Sequence, residues 1–170
     1  MATAPAPVPI PDPRALDRAA ELITAASRPV VLAGLQCDAE HAEWLRAFAE
    51  ALPAPVLITE KAHHLLPEAH PLALGSFTGD EQDETLLGLA DLIVAFGVAP
   101  EEVDAHRWRH SALVVHLSRT RHTGLPYTPL VEVVGDLGLI LEELAPRLRG
   151  KTRADWDVVQ IDRLKKAKRG

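Results

Sequence analysis

The chain has 170 residues, 47% of them apolar and 25% charged, with a formal net charge of −6 and a single cysteine, Cys37. That balance suits one soluble α/β-sized domain with a real core, and the negative charge gives no pull toward nucleic acid or an anionic membrane. One cysteine excludes an intrachain disulfide and a zinc–thiolate cluster. No apolar run is long enough to span a bilayer, and the start "MATAPAPVPIPDP" lacks the basic-then-apolar order of a signal peptide. A reducing, cytoplasmic setting is the expectation.

Residues 1–13 alternate proline with small residues, which favours extended, polyproline-like backbone; they read as an interdomain linker. "RALDRAAELITAAS" places Leu16, Ala19, Ala20, Ile23 and Ala26 on one helical face. "RPVVLAG" follows as a buried strand near 30–33, ending at Gly34. Asp38 is the expected cap of a helix over "AEHAEWLRAFAEAL", stopped by Pro53. "APVLIT" is a second strand near 56–59, and "PLALG", ending at Gly75, is a candidate short third. "DETLLGLA" reads as a helix running into the strand "DLIVAFG" near 92–96. "EEVDAHRWRH" reads as a helix before the strand "ALVVHLS" near 113–117. "LVEVVGD" is a strand near 131–134, and "LGLILEELAPRLRG" a helix capped by Asp136. The tail, 151–170, holds a weakly amphipathic segment through Trp156, Val159 and Leu164; it reads as a helical linker toward another domain, with a solvated basic end "RLKKAKRG".

Strands that are apolar throughout, separated by amphipathic helices, predict a three-layer α/β/α domain over 14–150 with a mainly parallel, about six-stranded, Rossmann-like sheet. Ligands of such sheets bind beyond the carboxyl ends of the strands, where the strand order reverses. Those ends carry Gly34, Thr59, Gly75, Gly97, Ser118 and Gly135–Asp136, and glycine lets a ligand approach the backbone closely. The expected lining of one crevice is Gly34, Gln36, Thr59, Lys61, Gly75, Gly97, Ser118 and Arg119, with Lys61 and Arg119 donating to a ligand's phosphates. A standard NAD fingerprint is absent, because Gln36 and Ala39 stand where its second and third glycines would be.

No catalytic residue or metal ligand is assigned. Ser76 and Ser118 lack a glycine-flanked elbow, and Cys37 reads as a buried or idle thiol. His106 and His110 share a helical spacing that can bind metal, but Arg107 and Arg109 between them repel a cation. His63 and His64 are adjacent, and reaching one metal together would take an unusual loop.

The order "RPVVLAG", "LPAPVLITEKAHHLLPEAHPLALG", "ADLIVAFGV", "VVHLS" and "VEVVGD" before a helix resembles the central domain of thiamine-diphosphate-dependent enzymes, the acetolactate synthase, pyruvate oxidase and benzoylformate decarboxylase relatives, over residues 14–150. The most specific part is the proline–histidine–proline–glycine succession from Leu66 to Gly75. Lys61 matches the family's lysine, with Ala62–His63 in place of its glycine; Pro67, His70 and Pro71 would shape the loop, and Gly75 would close it at the crevice. His70 is read as a packing and hydrogen-bonding residue.

The resemblance implies a six-stranded parallel sheet of the NAD/FAD-binding type, which holds FAD in acetolactate synthase and pyruvate oxidase. "APEEVDAHRW" stands where the flavin binders carry an arginine and acidic residues, and "SRTRH" where they carry an aspartate pair. These departures favour an adenine nucleotide or CoA over FAD, with Arg119, Arg121 and His122 suited to an extra phosphate. Thiamine diphosphate requires a Gly-Asp-Gly metal motif with a downstream asparagine, and a glutamate from a separate pyrimidine domain. "TGDEQ" and "VGDLG" are incomplete, so the chain alone is expected not to bind it. The implied role is a non-catalytic central module, partnered by pyrimidine- and diphosphate-binding domains in the same or a separate chain and assembled as a homo-oligomer. Two other readings stand beside it: a subunit of another complex with this fold, similar to the epsilon subunit of carbon monoxide dehydrogenase/acetyl-CoA synthase, and an independent small enzyme with a CoA or NADP substrate.

Overall fold

Two runs, β1 (Pro29–Ala33) and β4 (Leu92–Phe96), are buried at every position and form the centre of the sheet, because residues apolar on both faces satisfy only a strand covered on both sides. The computed structural model describes residues 8–62, 65–104, 110–122 and 124–169; the pair His63–His64 and His106 lie outside them. β1 pairs in parallel with β4 and with β2 (Val56–Thr59). β3 (Ala73–Phe77) lies beyond β2, while β5 (Leu113–Ser118) and β6 (Val131–Val134) lie beyond β4. The order is β3-β2-β1-β4-β5-β6 with every pairing parallel. The expected parallel sheet of six strands is therefore present.

Helices α1 (Pro13–Ala25), α2 (Ala42–Ala51) and α5 (Leu137–Leu148) cover one face over Val31, Ala33, Val94 and Phe96. The other face, with Val30, Leu32, Ile93 and Ala95, is covered by α3 (Glu81–Leu89), α4 (Pro100–Asp104) and α6 (Val158–Arg169). The helix after β1 and the helix after β4 thus leave the sheet on opposite sides. Their loops part at the carboxyl edge between β1 and β4, the place where sheets of this kind bind their ligands.

Three places refine the sequence reading. The candidate third strand is a full strand that runs two residues past Gly75, to Phe77. Gly75 sits inside it at φ +108°, beside a register shift between Val56 and Leu57, a conformation that requires glycine. Next, the proline segment gives way to helix at Pro13, where Asp12 accepts from Arg14 N at 3.0 Å. Residues 8–12 lie across the end of β6, and a Cβ on Gly135 would come within 2.7 Å of Pro11 Cγ.

The third refinement concerns the tail. Helix α6 lies back on β3 and α3 instead of leading away. Among the described residues of the β2–β3 connection only the 3-10 turn Glu60–Ala62 is helical, and α6 covers the face beside β3. Trp156 Nε1 donates to Pro29 O at 2.8 Å, Ile161 is buried, and Lys165 Nζ donates to His70 O. Two lysines of the supposedly solvated basic end are therefore used inside. Lys168 Nζ binds Asp83 Oδ1 at 2.7 Å and Asp80 Oδ2 at 2.9 Å. Asp83 Oδ2 accepts from Thr78 N (2.8 Å) and Gly79 N (3.0 Å). The loop between β2 and β3 is likewise tied to the fold: His70 bonds Glu50 at 2.8 Å and accepts from Leu72 N, a packing and hydrogen-bonding role.

Lys168 is 8% exposed in its side chain and Asp83 0%, so removing the lysine leaves a buried carboxylate without its cation. Lys168→Ala is expected to lower stability by about 3 kcal/mol. Lys166→Ala, which breaks a pair exposed at 75% and 56%, should change it by less than about 1 kcal/mol. Urea unfolding of the two variants checks the contrast.

Candidate functional site

The carboxyl edge is stitched together by its own loops. Gly34 N donates to Phe96 O (3.0 Å), Gln36 N to Gly97 O (2.9 Å), Gly97 N to Leu117 O (2.8 Å) and Gly135 N to Ser118 O (2.9 Å). At the point where the strand order reverses, the centre of this edge is a carboxylate. Glu102 reaches from α4 to accept from Leu35 N at 2.9 and 3.0 Å, from Ala99 N at 2.7 Å and from Thr59 Oγ1. One side chain thereby joins the ends of β1, β2 and β4. The fit is close: a Cβ on Gly34 would fall 2.6 Å from Glu102 Oε2 and 2.9 Å from Gly97 O. Gly97 itself is at φ +67°, with Cys37 Sγ 2.7 Å from where its Cβ would be.

A second set of bonds runs toward β5, and its direction follows from one backbone amide. Gln36 Oε1 accepts from Arg119 N at 2.9 Å, so Gln36 Nε2 is left to donate to His122 Nε2, 3.2 Å away. With that nitrogen an acceptor, neutral His122 carries its proton on Nδ1, 3.3 Å from His116 Nε2. His116 in turn donates from Nδ1 to Tyr127 Oη at 2.8 Å. Burial first, then the neighbouring His122, pulls the His116 pKa down to about 4. Burial likewise raises the Tyr127 phenol well above its usual range, helped by the Glu132 and Glu102 charges. The Cys37 thiol is pushed up to about 12, chiefly by burial. Ser118 donates its hydroxyl to Thr120 O. The nucleophile-type side chains of the edge are thus buried or already bonded.

Of the eight residues expected to share the crevice, Gly34, Gln36, Thr59, Gly97, Ser118 and Arg119 lie along this one edge, joined by the bonds above. Lys61 follows Thr59 on an exposed turn. Gly75 lies elsewhere: its place inside β3 puts it against α6, where a Cβ would stand 3.4 Å from Lys168 Cε. Its expected place at the crevice is thereby corrected. An open cavity of about 660 Å³ adjoins the edge on the β6 side, walled by Pro9, Ile10, Gln36, Arg119, Glu132 and Val134. Glu132 Oε1 is buried there without a hydrogen-bond partner.

Sequence reasoning missed Glu102, His116 and Glu132. Glu102 had a signal: in "APEE" a proline opens the helix and a glutamate stands at its third position, the pattern that returns a side chain to the cap amide. Polar residues at His116 and Glu132 interrupt otherwise apolar strands and mark the polar side of β5 and β6.

Among the described residues, the aspartates of the two incomplete Gly-Asp motifs do not form a donor set that fits thiamine diphosphate and its metal. Asp80 of "TGDEQ" caps α3 through Asp83 N at 2.8 Å and pairs with Lys168, and Asp136 of "VGDLG" caps α5 through Leu139 N at 2.9 Å. Both carboxylates are committed to the fold. Among the described residues one group has metal-ligand spacing, Asp38, Glu40 and His41, and there His41 Nδ1 already accepts from Asp38 N at 2.8 Å. No helix among the described residues is long and apolar enough to cross a membrane.

Fold and edge define a doubly wound parallel α/β domain of the Rossmann-like class. Residues 16–144 match the family model described as "Thiamine pyrophosphate enzyme, central domain". The chain is 29% identical over 150 residues to the acetolactate synthase isozyme 1 large subunit of Escherichia coli (strain K12), covering 85% of this chain and 26% of that protein. It is 30% identical over 177 residues to the 2-hydroxyacyl-CoA lyase 2 of Homo sapiens, covering 97% and 27%. The crystal structure of benzoylformate decarboxylase from Polynucleobacter necessarius matches with a TM-score of 0.67 at 25% identity, over 91% of this chain and 30% of that one. The chain belongs to the thiamine pyrophosphate enzyme central-domain family, and it spans about a quarter of the length of the two relatives compared by sequence.

The buried imidazole gives a pH signature. Folded protein keeps His116 neutral down to about pH 4, whereas the unfolded chain takes up that proton from about 6.5. The unfolded state binds more protons in this window, so stability rises with pH between 4 and 6.5 and the contribution is fully present above 6.5. The span is on the order of 3 kcal/mol. Urea unfolding from pH 4 to 7.5 should show a shallower slope for His116→Phe than for the wild type, by about one proton.

Proposed function

We propose that the chain is the non-catalytic central module of a thiamine-diphosphate-dependent enzyme assembly. Its partners in this reading are pyrimidine- and diphosphate-binding domains, in the same or a separate chain, and the assembly is a cytoplasmic homo-oligomer. The observation that carries the reading is the committed state of the edge. Cys37 is buried with its pKa raised to about 12, Ser118 donates within its own loop, and the two Gly-Asp pairs serve as helix caps. A surface so occupied with holding itself together supports neighbours better than it supports bond making.

The ligand part of the reading concerns the cavity on the β6 side. An adenine nucleotide or CoA, ahead of FAD, would place phosphates against Arg119 and Arg121 at its mouth, with Lys61 as a further cation along the edge. Charge-assisted contacts of this kind contribute roughly 1.5–3 kcal/mol each.

Two measurements test the two parts. Calorimetry of the purified chain with thiamine diphosphate and magnesium should give no binding heat, and decarboxylase and carboligase assays no turnover; micromolar binding or turnover would contradict the non-catalytic reading. Thermal-shift screening of ADP, CoA, NADP and FAD tests the ligand. A ligand at a hundred times its Kd adds about 2.7 kcal/mol, roughly 5–10 °C in Tm, and this should be lost in Lys61→Ala/Arg119→Ala. FAD giving the largest shift would reverse the order of preference, and no shift with any of them would leave a purely structural module.

A further inference from the structure

In doubly wound sheets the backbone amides around the first strand-to-helix turn hold a ligand's negative charge. Here the equivalent donors are all taken. Leu35 N leaves the end of β1, Ala99 N follows β4 and Thr59 Oγ1 ends β2, and all three converge on one carboxylate supplied by the chain, at 2.7 to 3.0 Å for the two amides. Gly34 and Gly97, which read from the sequence as room for a ligand, accommodate this packing instead: a Cβ at Gly34 would meet Glu102 Oε2 at 2.6 Å and one at Gly97 would meet Cys37 Sγ at 2.7 Å.

We propose that Glu102 is a built-in anion that occupies the switch-point cradle and shuts it against phosphate-bearing ligands. A carboxylate and a phosphate compete for the same donors, and two negative groups cannot share them without mutual repulsion. A phosphate therefore enters the point between β1 and β4 only by displacing Glu102, which costs the ties between three strand ends. A ligand entering from the β6 side meets Arg119 and the open cavity without disturbing Glu102. The assignment does not depend on a nucleotide binding there, because it concerns the donors beneath Glu102 alone.

The test removes the carboxylate and supplies anions from solution. Glu102→Ala is expected to unfold at lower temperature than the wild type, and acetate or inorganic phosphate, against chloride at equal ionic strength, to restore part of the loss in the variant only. In amide NMR titrations with inorganic phosphate, Leu35 and Ala99 should shift saturably in the variant, with an affinity about tenfold or more above the wild type. Should Glu102→Ala fail to fold, Glu102→Gln, of nearly the same shape, supplies the same titration. Arg119→Ala separates this inference from the nucleotide reading: it should weaken ADP or CoA binding and leave the anion response of a Glu102→Ala background unchanged. Equal phosphate affinity of wild type and variant at these two amides would overturn the proposal, as would a variant that no anion stabilises or shifts.

Discussion

Three donors held by one carboxylate fix the place where this sheet reverses direction. A parallel sheet needs its strand ends tied at the reversal, because the helices on either side carry the chain off to opposite faces. Backbone amides left there without acceptors would cost on the order of 1–3 kcal/mol each if buried. Glu102 removes that cost for the buried Ala99, and it holds the Leu35 amide and the Thr59 hydroxyl as well. The adjoining contacts build outward from it. Gly34 must lack a Cβ for the carboxylate to reach, Gln36 carries the tie to Arg119 on the β5 side, and Pro11 closes over Gly135 at the end of β6.

The architecture was readable because it rests on short-range patterns. Runs such as Val30–Ala33 and Leu92–Phe96 have no polar residue to turn outward, so each implies a strand covered on both faces. The cap at Asp136 follows the same local logic. What escaped were contacts between segments distant in sequence. The lysines of α6 look like a solvated basic end until Asp80 and Asp83, some 85 residues earlier, are placed beneath Lys168. Gly75 reads as the end of a strand because glycine often marks one, whereas here it accommodates φ +108° inside β3. Six of the eight expected crevice residues do lie on one edge, since any parallel sheet gathers its strand ends there. What occupies that edge was hidden, because Glu102 carries a capping pattern whose second use, the reach to Leu35, depends on tertiary packing.

A domain spanning about a quarter of its relatives' length can be complete as a packed unit only if both faces of its sheet are covered. Helices α1, α2 and α5 do this on one side, and α6 finishes the other by way of Trp156, Ile161 and the two lysines. The proposed supporting role fits an edge in which His116 and Cys37 are sequestered: the first has its pKa held near 4, the second near 12, so neither offers a proton or a thiolate at neutral pH.

Amide hydrogen exchange tests the central claim, that the chain's own carboxylate closes the switch point, most directly. In the wild type the amides of Leu35 and Ala99 should exchange slowly. In Glu102→Ala they should quicken by about tenfold or more, while Val31 and Val94, inside the strands, keep their protection. Fast exchange at Leu35 and Ala99 in the wild type, or unchanged protection after Glu102 is removed, would contradict the account.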